Sequence, residues 1–152
     1  MQELVPSRQR HLLMNSPVAH IGVVADGDPY VTPISFVWMD DLLWFRTTEG
    51  ERLKALATHP RVSCEISSFD VATGDWESVI VTGDARVVDD PEQESEMMRA
   101  VREKYRRITK SALELPPDVM PREGYVVAIH PVDVSGRASN AGMVRRDLPG
   151  RL

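Results

Sequence analysis

The chain alternates apolar and polar positions in short blocks of changing period. "VAHIGVVA" (18–25) and "YVTPISFVWM" (30–39) are rich in β-branched and aromatic residues, and "DGDP" between them supplies turn formers, so the pair predicts a hairpin. Pro33 in the second arm has no N–H to give a ladder and marks an edge, a bulge or a place where the backbone faces a ligand. A turn at Asp40 and Asp41 leads to a third strand, "LLWFRTT" (42–48). The period then changes to helical in "GERLKALATHP" (50–60), with Leu53, Leu56 and Ala57 as the expected buried stripe and Pro60 as the stop. Upstream, "VPSRQRHLLMNS" (5–16) predicts a short helix with Ser7 as its N-cap and Leu12, Leu13 and Met14 docked on the body.

The second half continues the β theme. "RVSCEISSF" (61–69) and "ESVIVTGDARVVD" (77–89) predict two strands joined by a looser turn. "DPEQESEMMRAVREKYRRI" (90–108) is the clearest helix: Asp90 caps, Pro91 suits the first helical position, and Met98, Val101, Tyr105 and Ile108 keep helical spacing. Its acids come early and its bases late, as the helix dipole favours, so the basic run from Arg99 to Lys110 reads as a solvated face. "SALELPPDVMPRE" (111–123) predicts an irregular connection, "GYVVAIHPVDVSGRA" (124–138) a last strand, and "GMVRRDLPGRL" (142–152) a polar tail. The expected architecture is a single mainly β domain of α+β type over 1–152, a barrel or sandwich of about six antiparallel strands with a few flanking helices.

Composition removes several function classes. With 18 basic against 23 acidic residues, a net charge of −5, the chain lacks the cationic surplus of a nucleic-acid binder. One cysteine, Cys64, excludes an intrachain disulfide; it reads as a small buried apolar group. No apolar run has the length of a signal h-region or a membrane span, so the expected compartment is the cytoplasm with no membrane role. His11, His20, His59 and His130 stand in four different elements without metal-ligand spacing, and no metal site is expected. Ser35 and Ser78 have no triad context, and no GxGxxG or P-loop pattern occurs.

The chemistry concentrates at the strand-to-helix corner "WFRTTEGERLKAL" (44–56). Arg46, Thr47, Thr48, Arg52 and Lys54 offer guanidinium forks, hydroxyls and a helix start, the donor types a phosphate wants; Glu49 and Glu51 oppose that reading. The plainer alternative is a solvated amphipathic helix.

The order "DGDPYVTPISFVW", "LWFRTTEGERLKAL", "HPRVSCEI" and "WESVIVTGDARVV" resembles the pyridoxamine 5'-phosphate oxidase-like, FMN-binding split-barrel superfamily, well over residues 10–90 and more loosely in the closing strand. The resemblance implies a split barrel, a homodimer with flavin sites at the subunit interface, and FMN as cofactor. It places Arg52 on the cofactor phosphate and Arg46, Thr47 and Thr48 on phosphate and ribityl oxygens, with Lys54 as a helper. Pro33, Ile34, Ser35 and Phe36 become the slot for the flavin ring, and Trp76 and Ser78 its next wall.

The implied function is a flavin-dependent oxidoreductase that transfers hydride through the ring to a small molecule. Two alternatives accompany it: a reductase using deazaflavin (coenzyme F-420), its acidic tail held by Arg145 or Arg146, and a non-catalytic flavin- or haem-binding protein. Oxidation of pyridoxamine phosphate itself is not expected, because "GMVRRDLPGRL" lacks a counterpart of that substrate-binding end. No catalytic residue is assigned.

Overall fold

The computed structural model describes residues 1–110 and 120–139. In chain order they form β1 (Gln2–Glu3), α1 (Pro6–Asn15), β2 (Ala19–Ala25), β3 (Asp28–Ile34), β4 (Phe36–Met39), β5 (Leu42–Thr47), α2 (Glu51–Thr58), β6 (Arg61–Phe69), β7 (Trp76–Val88), α3 (Pro91–Thr109) and β8 (Tyr125–Ala138). Every strand pairing is antiparallel, and the sheet runs β3-β2-β6-β7-β8-β5-β4 with the two-residue β1 beside β8.

That order explains the shape. β3 and β4 lie at opposite ends of the sheet, yet Ser35 alone separates them along the chain. One residue spans under about 4 Å, so the sheet must curl until its two edges meet at Ser35. The result is a split barrel with an unpaired seam. The expected single strand over 30–39 is therefore two strands, which raises the count along the sheet from about six to seven. Pro33 sits on edge strand β3, where its missing N–H interrupts no ladder.

Two tight turns fix the register on either side of the seam. Asp26 and Gly27 both have positive φ, as do Asp40 and Asp41, the combination that two-residue type I′ hairpins require. β5 is buried on both faces. Phe36, Leu43, Phe45, Val127 and Ile129 join the barrel core, whereas Val37, Trp44, Val126 and Ala128 face outward against Met97, Val101 and Tyr105 of α3. Two apolar layers thus share β4, β5 and β8, which is why "LLWF" reads as a run and not an alternation.

Local details differ from expectation in three places. α1 starts one residue after Val5, with Pro6 in its first turn and no capping side chain, so Ser7 does not cap it. α2 buries Ala55 and Leu56, while Leu53 and Ala57 border an apolar groove of about 470 Å³ with Pro60, Ala85, Val87, Tyr125 and Val127. In α3 the buried positions are Met97, Val101, Lys104 and Tyr105, a stripe shifted by one from Met98 and containing a lysine. The capping reading there holds: Asp90 accepts from the Glu92 and Gln93 amides, and Pro91 opens the helix.

Candidate functional site

A cleft of about 330 Å³ opens at the seam, lined by Val18, Pro33, Ile34, Ser35, Arg46, Thr47, Thr48, Arg52 and Pro121. The end of β3 and Ser35 form one wall. The end of β5 forms the other, and the first turn of α2 closes the floor. Seven residues singled out from sequence meet here: Pro33, Ile34, Ser35, Arg46, Thr47, Thr48 and Arg52.

The two arginines are in different electrostatic states. Arg46 is neutralised: its Nη2 lies 2.6 Å from Glu94 Oε1, and its Nη1 donates to the carbonyls of Arg122 (2.6 Å) and Pro121 (3.4 Å). Its Nε is buried without a partner. Arg52 instead rests on neutral oxygens. Nε and Nη2 donate to Thr32 Oγ1 at 3.0 and 2.6 Å, Nη1 to Thr47 Oγ1 at 3.4 Å, and Nη2 to the Pro33 carbonyl at 3.4 Å. No carboxylate pairs with it among the described residues. Its half-burial pulls the guanidinium below its ordinary pKa, the mark of a cation desolvated without compensation. A positive charge held in a cleft by neutral acceptors is poised for an anion.

The backbone adds donors. Gly50, the N-cap of α2, has φ 153 and ψ −169, a conformation open in practice to glycine alone. With no capping side chain there, the first-turn amides keep their hydrogen-bonding capacity at the positive end of the helix. Gly124, with φ 131, lets β8 pass directly against the Thr47 carbonyl; a Cβ there would collide with it. The acids flanking the corner are turned away: Glu49 accepts from the Tyr125 hydroxyl at 3.2 Å, and Glu51 pairs with Lys54 at 3.5 Å. Neither lines the cleft.

Four other residues singled out from sequence lie elsewhere. Phe36 is a core residue with 0% exposure, because the strand break at Ser35 turns it into the barrel. Lys54 is exposed on α2 beside Glu51. Trp76 opens β7 opposite Phe69, and Ser78 donates to Glu65 Oε1 at 2.9 Å. Arg145 and Arg146 lie outside the described residues. Sequence reading missed Thr32 and Glu94, which set the states of Arg52 and Arg46 across 20 and 48 residues; no local pattern marks such pairs. Cys64 is fully buried, and burial pushes its thiol up to about 12, which leaves it without nucleophilic character. Among the described residues no three His, Cys, Asp or Glu gather as metal ligands, and no helix is long and apolar enough to cross a membrane.

The curled antiparallel sheet with a cleft at its seam defines a split-barrel protein. The chain belongs to the pyridoxamine 5'-phosphate oxidase family, whose sequence profile matches residues 7–138. The FAD-binding protein of Mycobacterium smegmatis is similar in structure at 26% identity and a TM-score of 0.65, over 91% of this chain and 98% of that one. An FAD-binding protein of Mesorhizobium loti superposes with a TM-score of 0.71 at 20% identity, again over 91% and 98%, which speaks for the fold. An uncharacterised protein of Rhizobium meliloti is 29% identical over 66 residues, a match spanning 43% of each chain.

Proposed function

We propose that the chain is a flavin-dependent oxidoreductase acting on a small molecule, with the cofactor phosphate seated on Arg52. The observation that carries this reading is the uncompensated guanidinium of Arg52 in the seam cleft, beside Thr47, Thr48 and the uncapped start of α2. Those residues fit the group: a phosphate would take the charge-assisted bonds now spent on neutral oxygens. Pro33, Ile34 and Ser35 give an apolar wall with backbone groups for the ring. When bound, a flavin supplies two-electron hydride chemistry, and the protein supplies position and electrostatics.

FMN is the cofactor proposed, since its single phosphate matches Arg52, the cleft-lining arginine without a carboxylate partner among the described residues. A second reading, FAD, is favoured by the M. smegmatis FAD-binding protein at 26% identity. We further place the sites in a homodimer. Tyr30, Val31, Phe69 and Ile80 are large apolar side chains left exposed on one chain, and a two-fold contact would cover them. Trp76, outside the cleft of its own chain, then walls the cleft of the other protomer.

The test is a titration of wild type and Arg52→Glu with FMN, FAD and deazaflavin, alongside thermal melts. Removing a charge-assisted donor and adding repulsion weakens binding by about a hundredfold or more. The fold is expected to survive. Equal affinity in both proteins overturns the phosphate assignment. A Soret band in the purified protein would favour haem, and a bound flavin that no two-electron donor reduces would favour a binding protein over an enzyme.

A further inference from the structure

α3 reaches across the seam and ties both of its sides. β3 pairs with β2 and β4 with β5, so among the described residues no ladder joins the two strands that meet at Ser35. Side chains of one helix bridge the gap instead. On the β4 side, Lys104 Nζ donates to the Phe36 carbonyl at 2.9 Å and sits 3.5 Å from the centre of the Phe36 ring. On the β2 side, the Tyr105 hydroxyl donates to the carbonyl of Pro17, next to the cleft-lining Val18, and Arg107 Nη2 donates to the Met14 carbonyl at 2.9 Å. About 16 Å nearer the helix N-terminus, Glu94 holds Arg46 on the opposite cleft wall at 2.6 Å. The helix lies as a strap over the site.

One of these ties can change its charge. Lys104 is 2% exposed, and among the described residues no carboxylate lies within ion-pairing distance of it. β4, against which it packs, carries no ionisable side chain, and β5 and β8 meet α3 through Trp44, Val126 and Ala128. The ionisable groups of α1 are Arg8, Arg10 and His11, engaged with Glu77, Asp41 and Asn15. On α3 itself Arg107 adds a like charge, burial keeps Tyr105 a neutral phenol, and Arg102, Glu103 and Arg106 are exposed. Only the Phe36 carbonyl and ring offset the hydration lost when the closed strap buries the ammonium, and the amine is pulled from 10.5 to about 7.

We propose that α3 is a pH-sensitive strap over the seam cleft, with Lys104 as its sensing residue and Tyr105 and Glu94 as its constant ties. Opening returns Lys104 to water. Proton uptake therefore accompanies opening: the hydrated amine stays charged up to 10.5 and the closed one only up to about 7, so the strap is weakest at and below pH 7 and tightens as pH rises through that window. The device goes beyond the flavin reading and does not depend on it. It sets how readily any anion reaches or leaves the Arg52 end of the cleft, more readily at pH 7 than at pH 8.5.

Amide hydrogen exchange, followed residue by residue by NMR on the protein as purified, tests the strap between pH 7 and 8.5. Wild type, Lys104→Met and Tyr105→Phe are compared, each rate divided by its intrinsic value. Amides of Phe36–Met39 and of residues 101–108 report the strap, and those of the paired β6 and β7 report global unfolding. In wild type the strap amides are expected to open more often than the β6–β7 amides, with an opening constant that falls about fifteenfold from pH 7 to 8.5, as a change from 10.5 to about 7 requires. Lys104→Met flattens that dependence. Tyr105→Phe raises opening about fivefold at every pH, the loss of one hydrogen bond, and keeps the slope. Strap amides that open no more often than the β6–β7 ladder, a slope that persists in Lys104→Met, or unchanged exchange in Tyr105→Phe would each overturn the proposal. None of these results bears on the flavin titration, which reads Arg52.

Discussion

Lys104 gives the sharpest quantitative prediction because it is a buried amine without a carboxylate. It is 2% exposed, its Nζ donates to the Phe36 carbonyl at 2.9 Å, and the nitrogen lies 3.5 Å from the centre of the Phe36 ring. Burial, with the like charge of Arg107 adding to it, pulls the ammonium from 10.5 to about 7. Between those values the unfolded chain holds a proton that the folded chain releases, so stability rises with pH across the window. Below pH 7 both states are protonated and the full cost of burying the charge is present; above 10.5 it is gone. The slope inside the window approaches about 1.4 kcal/mol per pH unit.

Lys104→Met keeps the unbranched stem and removes the titration. Between pH 7 and pH 9 the wild type is expected to gain about 2 kcal/mol relative to the variant, from the linkage of a pKa of about 7 folded and 10.5 unfolded. For a chain of this size that is a relative Tm shift of about 4–8 °C. Urea or thermal unfolding of both proteins at several pH values measures it, and groups titrating identically in both cancel in the difference. Parallel stability curves would refute the reasoning, since they would mean that Lys104 stays charged in the folded state, held by the Phe36 ring and carbonyl.

Two further outcomes follow from the seam. Gly124→Ala drives a Cβ into the Thr47 carbonyl at a positive φ, so it is expected to destabilise by about 2 kcal/mol or more and to weaken flavin binding through Thr47 and Thr48; unchanged melting and affinity would refute the close approach. Light scattering at micromolar concentration is expected to return twice the chain mass, and a monomer would remove the basis for a site shared across a two-fold.

Periodicity determined much of this protein. Alternation along 18–25, 61–69 and 77–89, turn residues at Asp26–Gly27 and Asp40–Asp41, and Asp90–Pro91 before a helical run are local signals, and local physics answers them with strands, hairpins and a capped helix. The corner carrying Arg46 to Arg52 was also legible, since strand-end hydroxyls and a glycine-started helix are neighbours in the chain. Tertiary structure decided the rest. Nothing in "TPISFV" announces that Ser35 joins the two ends of one sheet, because closure depends on the pairing of β8 with β5 across about eighty residues. Charge state was equally hidden: Glu94 silences Arg46 while Thr32 leaves Arg52 uncompensated, and only packing brings those residues together. Lys104 within an apolar stripe looks like a surface residue in one dimension, yet it is buried. Which amines and guanidiniums lose water or gain partners is settled by what folds against them, and that is long-range information a local pattern does not contain.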